Sequence, residues 1–282
     1  MNDFRADLHC HSTCSDGTLA PEELVQLAKQ VGLSGLAITD HDSIEAYSTV
    51  LSFAQDLGLE MISGAEFSAV YRDISIHVLG YAFAVNNPVV VAFCEKHQTR
   101  RQARNSAILE QLALHGMPVS EEEVQATTGT TLPGMRHTIG RPHIAQAMVK
   151  KGYVASLQDA FKQYIGDGKP CFARGAIFSV EETIATIHEA NGLAVVAHPH
   201  LIKEPYIVEE LLKMNFDGIE CHYGNFQVQQ NQRWLTLAQK KGLLITGGSD
   251  FHGDIKPASE LGSSWVGEES FRVLQRRFQE NS

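Results

Sequence analysis

The run Asp7 to Thr18, DLHCHSTCSDGT, sets two histidines one residue apart and follows them with an Asp-Gly pair. If Phe4 to His11 is extended, successive side chains alternate in direction, so Asp7, His9 and His11 share one face while Leu8 and Cys10 share the other. Two neutral imidazoles at that spacing suit a divalent cation, and a neighbouring carboxylate can orient a ring or join the coordination. An isolated HxH triplet also arises from two half-buried polar side chains, so the rest of the chain has to decide. Asp7 reads either as an orienter of one of the rings or as a plain inward polar residue.

Further potential ligands close other apolar runs. LAIT runs into Asp40-His41-Asp42, EMISG into Ala65-Glu66, AVVAH into His198 and LLITGG into Ser249-Asp250-Phe251-His252, while ISIHVLG contains His77 and GIEC precedes His222. One such histidine is most simply a satisfied core residue. Recurrence at nearly every run points to a shared metal centre, because functional groups in parallel barrels collect at the C-terminal ends of the strands.

These side chains need a scaffold that gathers strand ends. Short Val-, Ile- and Leu-rich runs at FRADLH, LSGLAIT, LEMISG, ISIHVLGYAF, GLAVVAH, FDGIEC and GLLITGG alternate with stretches of helical period, the pattern of an α/β protein with a mainly parallel sheet. Seven runs predict a closed barrel. Pro21 to Val31 and Ser43 to Leu57 read as helices, the second capped by Ser43. Between about Pro88 and Ala173 the alternation lapses into helices near 88–115, 120–127 and, twice, within 141–165, with TGTTLPGM and GDGKP as loops. The expected organisation is a barrel domain over 1–87 and 174–282 interrupted by a helical insertion over 88–173.

The 282 residues are 43% hydrophobic and 20% charged, an ordinary globular composition. No stretch approaches the roughly 18 apolar residues of a membrane span, and the N-terminus lacks a signal-like pattern, so a cytoplasmic protein with no membrane partner and no obligate protein partner is expected. Five scattered cysteines without CxxC spacing argue against disulfides and zinc knuckles and read as reduced packing residues. A net charge of −10 discourages nucleic-acid binding overall, yet eight Lys/Arg face four Glu between Lys96 and Lys151. That segment is set up to attract anions.

DLHCHSTCSDGT, TDHD, GAEFS, IHVLGY, AHP and GSDFHG, in this order, resemble the motifs of the polymerase and histidinol phosphatase (PHP) superfamily of metal-dependent phosphoesterases, over about residues 1–85 and 176–255. GRPHIA and GKPCF are similar to motifs of its stand-alone bacterial branch, which acts on 3′,5′-nucleoside bisphosphates such as pAp and on short RNA from the 5′ end. The resemblance implies a distorted (βα)7 TIM-like barrel, the PHP fold, holding two to three divalent metal ions. It implies His9, His11, Glu66 and Asp250 for the first, Glu66 as a bridge with His77 and His198 for the second, and Asp16, His41 and His252 for the third. Mixed imidazole and carboxylate ligands suit manganese, iron or zinc better than calcium, with manganese the first expectation.

Paired cations lower the pKa of coordinated water and steady the attacking and leaving oxygens of an in-line displacement, which here predicts attack by a metal-bridging hydroxide on a phosphate ester. Arg141 and His143, at a likely helix start in GRPH, are the first choices for gripping a substrate phosphate, whether of a nucleoside 3′,5′-bisphosphate or of short RNA. Arg100, Arg101 and Arg104 either guide RNA or form the wet face of a helix. His222 and His200, beside ligand positions, are candidate general acids for the leaving group. Competing readings are a histidinol-phosphate phosphatase, an amidohydrolase, and a non-catalytic metal-binding module.

Overall fold

β1 (Ala6–Cys10) is buried along its whole length, as a strand covered on both faces must be. The computed structural model describes residues 4–128, 137–224 and 226–282, so TGTTLPGM beyond Thr128, and Arg136, lie outside the described residues. α1 (Pro21–Gln30) opens on proline with Glu22 and Glu23 in its first turn, favourable for the helix dipole. β2 (Gly35–Ile38), α2 (Tyr47–Asp56), β3 (Glu60–Met61), β4 (Gly64–Tyr71) and β5 (Ile74–Tyr81) follow. α2 begins at Tyr47 rather than Ser43. The Ser43 hydroxyl accepts the Glu45 N–H in a local turn, and the Tyr47 hydroxyl donates to the Ile38 carbonyl at 2.7 Å, which fixes the helix start against β2.

The helical stretch comprises α3 (Pro88–Leu114), α4 (Glu121–Gln125), α5 (Arg141–Lys150) and α6 (Leu157–Ala160), the last widening into a π turn over Phe161–Ile165. α7 (Val180–Glu189), β6 (Leu193–Val196), α8 (Pro205–Leu211), β7 (Gly218–Tyr223), α9 (Val228–Lys241), β8 (Leu244–Gly248) and α10 (Glu268–Asn281) complete the chain. None of these helices is long and apolar enough to cross a membrane.

Among the described residues the strands form two sheets, β1-β2-β3 and β4-β5-β6-β7-β8, rather than one closed ladder. β5 runs antiparallel to both its neighbours. The sequence reading had no separate strand at β4: β4 and β5 form a hairpin whose turn residues, Arg72 and Asp73, both take positive φ. Such turns usually announce themselves with Asn-Gly or Asp-Gly, and Arg-Asp carries no such signal.

The sheets meet at two seams. At one, Asp250 N–H donates to the His9 carbonyl at 2.7 Å and His11 N–H to the Phe251 carbonyl at 2.9 Å. At the other, Glu66 N–H donates to the Asp40 carbonyl and Asp42 N–H to that of Glu66, at 3.2 and 3.0 Å. Both seams run through potential ligands. Between the sheets a core of Leu8, Ala37, Ile62, Leu79, Tyr81 and Val195 draws on both and is closed by Phe271 and Leu274 of α10.

α3 belongs to two cores. Val90, Phe93 and Cys94 in its first half pack on the larger sheet, while Ile108, Leu109 and Leu112 pack with α5, α6 and the π turn around Ile144, Met148 and Ile165. This helical layer is tied to the DLHCHSTCSDGT loop by two bonds: the His137 imidazole meets the Thr13 carbonyl, and Thr138 N–H donates to Cys14 at 2.8 Å.

Candidate metal centre

Glu66, in β4, is almost completely buried and stands among five imidazoles. Its Oε2 lies 3.3, 3.1 and 3.2 Å from His9 Nε2, His11 Nε2 and His41 Nδ1, and its Oε1 lies 2.6 and 2.8 Å from His77 Nδ1 and His198 Nε2. One carboxylate thus offers a different oxygen to each side. Burial alone would raise its pKa, but His77, His41 and His9 hold it well below the usual carboxylate range. Asp250 presents Oδ1 to His9, His11 and His252 at 3.5, 3.3 and 3.4 Å. Asp16 faces His252 at 3.4 Å and His11 and His41 at 3.8 Å.

The donor atoms fall into three groups, each spanning no more than 4.8 Å: His9, His11, Glu66 and Asp250; His41, Glu66 and His77; and His11, Asp16, His41 and His252. His198 joins the second through Glu66 and through His77, 3.2 Å away. The nine residues read from the sequence are therefore brought together, with His11 and His41 each facing two groups. His9 Nε2, His11 Nε2, His41 Nδ1 and Asp16 Oδ1 are buried without a hydrogen-bond partner. Buried polar atoms seldom go unpaired, and a cluster of unpaired imidazole nitrogens facing carboxylate oxygens is what a divalent cation would satisfy. The residues fit.

Local chain features aim these groups. Gly17 has no room for a side chain, since a Cβ there would lie 2.2 Å from the His11 carbonyl oxygen, and the Asp16-Gly17 turn can close on β1 only because of this. Asp40, next to His41, accepts from Ser12 N–H at 2.8 Å and from the Ser12 and Ser15 hydroxyls at 2.6 Å, holding the loop between His11 and Asp16. Asp42, on the other side, pairs with Arg101 at 2.6 Å and His97 at 3.1 Å on α3. Asp42, His198 and Asp250 all take positive φ, a strain of order 1–3 kcal/mol each that marks functional strand ends.

Several supporting residues escaped the sequence reading. Glu220, fully buried in β7, accepts from His9 Nδ1 at 2.9 Å and from the His198 backbone N–H at 2.7 Å. It was signalled only as an acid set between Ile219 and Cys221 in the run FDGIEC. Tyr223 donates its hydroxyl to Asp250 Oδ2 at 2.6 Å, and Lys256 contacts the same oxygen. Asp7 does not orient a ring. Its carboxylate accepts backbone N–H groups of His9, Ser249 and Gly262 at 3.1, 3.0 and 2.9 Å, tying β1 to the segment after β8, and burial raises its pKa to about 6.

The residues expected to handle substrate fare differently. Arg141 lines a cavity beside the cluster, where its guanidinium sits near Phe161 and Phe172 and bonds Asp167 at 2.6 Å. His143 lines neither of the two cavities at the cluster; its Nδ1 accepts Gly140 N–H at 3.1 Å and caps its own helix. His200 lies in an aromatic nest of Tyr223, Phe226 and Trp234, bonded to Asn231 at 3.0 Å, and burial lowers its pKa to about 4. A ring so hard to protonate is a poor acid at neutral pH. A register shift in β7 between Glu220 and His222 breaks the strand alternation, and His222 packs over Gly247 and lines neither cavity.

Arg100, Arg101 and Arg104 are not the wet face of α3. With Arg141 they line a cavity of about 220 Å³ that shares Asp16, His41 and His77 with the cluster. Arg101 is spent on Asp42; Arg100 reaches the same carboxylate at 3.8 Å and the Ser68 carbonyl at 3.4 Å, and Arg104 donates to Asn105 at 3.3 Å, while the buried Nε–H of each finds no acceptor. Burial, with the charges of Arg101, Arg141 and Arg100, depresses Arg104 to about 8. A second cavity of about 770 Å³ shares Asp16, His41 and His77 with the first and also takes in Glu66, His198 and Asp250.

A buried carboxylate ringed by imidazoles, on two sheets joined through the ligand segments, defines a metal-dependent hydrolase site. The PHP domain family matches residues 7–167, and the chain belongs to that family. It is 33% identical over 254 residues to a 5′-3′ exoribonuclease of Haemophilus influenzae, covering 87% of this chain and 89% of that one. It is 27% identical to a 3′,5′-nucleoside bisphosphate phosphatase of Chromobacterium violaceum, covering 91% and 90%. A solved structure from Bifidobacterium adolescentis, described as a metal-dependent phosphoesterase, superposes with a TM-score of 0.86 at 31% identity over 96% of both chains. The protein is a metal-dependent phosphoesterase of the PHP family, which sets aside the non-catalytic reading.

Proposed function

We propose that this chain hydrolyses the 3′-phosphate of 3′,5′-nucleoside bisphosphates such as pAp and, in the same register, removes nucleotides from the 5′ end of short 5′-phosphorylated RNA. The observation that carries this reading is the arginine cavity: two buried guanidinium N–H groups without acceptors, next to the cluster and among like charges. Such a cavity favours a phosphate remote from the reacting one. Arg100 and Arg104, each with a buried Nε–H that lacks an acceptor, replace Arg141 and His143 as the principal grip, since Arg141 is bonded to the Asp167 carboxylate and the His143 ring caps its own helix. A cationic substrate such as histidinol phosphate would place its amine against these arginines, which disfavours that alternative.

His9, His11, Glu66 and Asp250 would hold one divalent ion, and Glu66, His77 and His198, with His41 in reach, a second. Asp16, His41 and His252, with His11, would hold a third. Manganese is the first expectation, with iron or zinc as alternatives. Bound there, such ions supply Lewis acidity and a water that ionises near neutral pH. The chain itself orients the ester: guanidinium groups fix one phosphate while Glu66 and Asp250 define where the other must lie. Residues 88–173 are read as a helical cap over this centre. The two sheets are read as parts of one distorted barrel spanning 1–87 and 174–282, a reading that the shared core and the bridged seams support.

The test compares Arg104→Ala on two substrates in manganese-supplied protein. Losing one charged contact, about 1.5–3 kcal/mol, should lower kcat/KM for pAp roughly 10- to 100-fold, while an aryl phosphate lacking the second phosphate should change less than about threefold. Equal losses on both would sink the assignment.

A further inference from the structure

Two cavities of different character open on the cluster and share Asp16, His41, His77, Pro142, Phe161 and Asp167. The arginine cavity is the smaller; the larger one takes in Glu66, His198 and Asp250 and is also lined by Lys162, Lys169 and Lys203. All three lysines are exposed, and none forms an ion pair among the described residues. Three lysines without an ion-pair partner among the described residues thus stand around an opening that also holds the carboxylates of Asp16, Glu66, Asp167 and Asp250. Phe161 and Leu201 line the same cavity, and Leu201 is 52% exposed, so apolar surface is interleaved with the charge. A cationic groove with an aromatic face beside it is the pattern that tracks and stacks single-stranded nucleic acid, and Phe161, which also stands under Arg141, is the aromatic residue here.

We propose that this lysine-lined groove is a binding site for the polynucleotide on the 3′ side of the scissile phosphate. The proposal rests on the function given above and deepens it by assigning a register. The terminal nucleotide's 5′-phosphate occupies the arginine cavity, the next phosphate lies at the cluster, and the remaining chain runs over Lys162, Lys169 and Lys203. In each cleavage the oxygen of water bonds to phosphorus, the P–O3′ bond breaks, O3′ takes up a proton, and the shortened strand keeps the phosphate on its new 5′ end. That product has the same end group as the substrate and can advance by one nucleotide. A nucleoside bisphosphate is then the limiting substrate with nothing in the groove. Lys256 is left out of the assignment because it contacts Asp250.

The experiment uses the full chain carrying Lys162→Ala, Lys169→Ala and Lys203→Ala together. Binding of a labelled, 5′-phosphorylated octaadenylate is followed by fluorescence anisotropy at several salt concentrations, and hydrolysis of pAp is measured on the same preparations with manganese. Octamer binding is expected to weaken at least about tenfold. The slope of log K against log salt should fall in magnitude by about 2, as for three lost phosphate contacts on a single strand. Hydrolysis of pAp should stay within about twofold of the unsubstituted chain, which also shows that the variant is folded. Unchanged octamer binding and salt slope overturn the groove even if pAp is hydrolysed. Absence of pAp hydrolysis in the unsubstituted, manganese-supplied chain overturns the proposed function instead, and the binding arm still reports on the groove. A parallel loss of octamer binding and pAp turnover also counts against the assignment, since it places the lysines at the reacting phosphate.

Discussion

Glu220 fixes which nitrogen of His9 faces Glu66, although 211 residues separate it from that histidine. By accepting from Nδ1 it leaves Nε2 bare and turned toward the carboxylates, and by holding the His198 backbone N–H it steadies a second ligand position across the cluster. Glu220→Gln keeps the size but offers one acceptor oxygen where two are used. Metal affinity measured by titration calorimetry is expected to drop roughly 10- to 100-fold, with the thermal midpoint of the metal-free protein moving far less. A variant that binds manganese as tightly as the unsubstituted chain would show that His9 needs no such support.

At the level of strands, the site depends on how closely β8 approaches β1. A Cβ at Gly248 would lie 2.3 Å from the His9 nitrogen, 2.5 Å from His9 Cβ and 2.7 Å from Asp7 Oδ1, so Gly248→Ala has nowhere to place its methyl without parting the seam. Destabilisation of about 3 kcal/mol, read as a lower urea midpoint together with fewer bound metals per chain, is expected. An unchanged midpoint would mean that the seam yields to a methyl group without loss. The same elements show what the sequence could disclose. His9 and His11 were legible because they stand two apart at the end of β1 and both rings reach Glu66, even though the pairing of β1 is irregular between Asp7 and Cys10, and Asp250 and His252 because they close an apolar run. The β4–β5 hairpin was hidden by a turn of Arg72 and Asp73, neither of them glycine. His222 looked like a site residue because no sequence signal marks the register shift just before it. Arg100 and Arg104 looked solvated because their burial depends on Phe178 and on the 172–177 segment, remote in sequence and packed over α3.

For the molecule as a whole, the cluster is a site where protons and cations compete. Burial pushes the His11 pKa down, but Asp250 and Glu66 more than offset it and raise it to about 9, so the metal-free protein keeps that ring protonated at neutral pH. A ligand imidazole must be neutral, so metal uptake expels such protons. A folded-state pKa above the ordinary value gives stability that is fully present below about pH 6.5 and is lost as the pH rises through about 9. Manganese restores by coordination what deprotonation removes. The metal-free chain should therefore lose thermal stability between pH 6.5 and 9 while the loaded chain does not, and the gap between their midpoints should widen across that window by about 5 °C or more. Melting curves with excess manganese and with chelator, taken through that range, measure it directly. A gap that stays constant or narrows with pH would mean that His11 does not exchange its proton for metal.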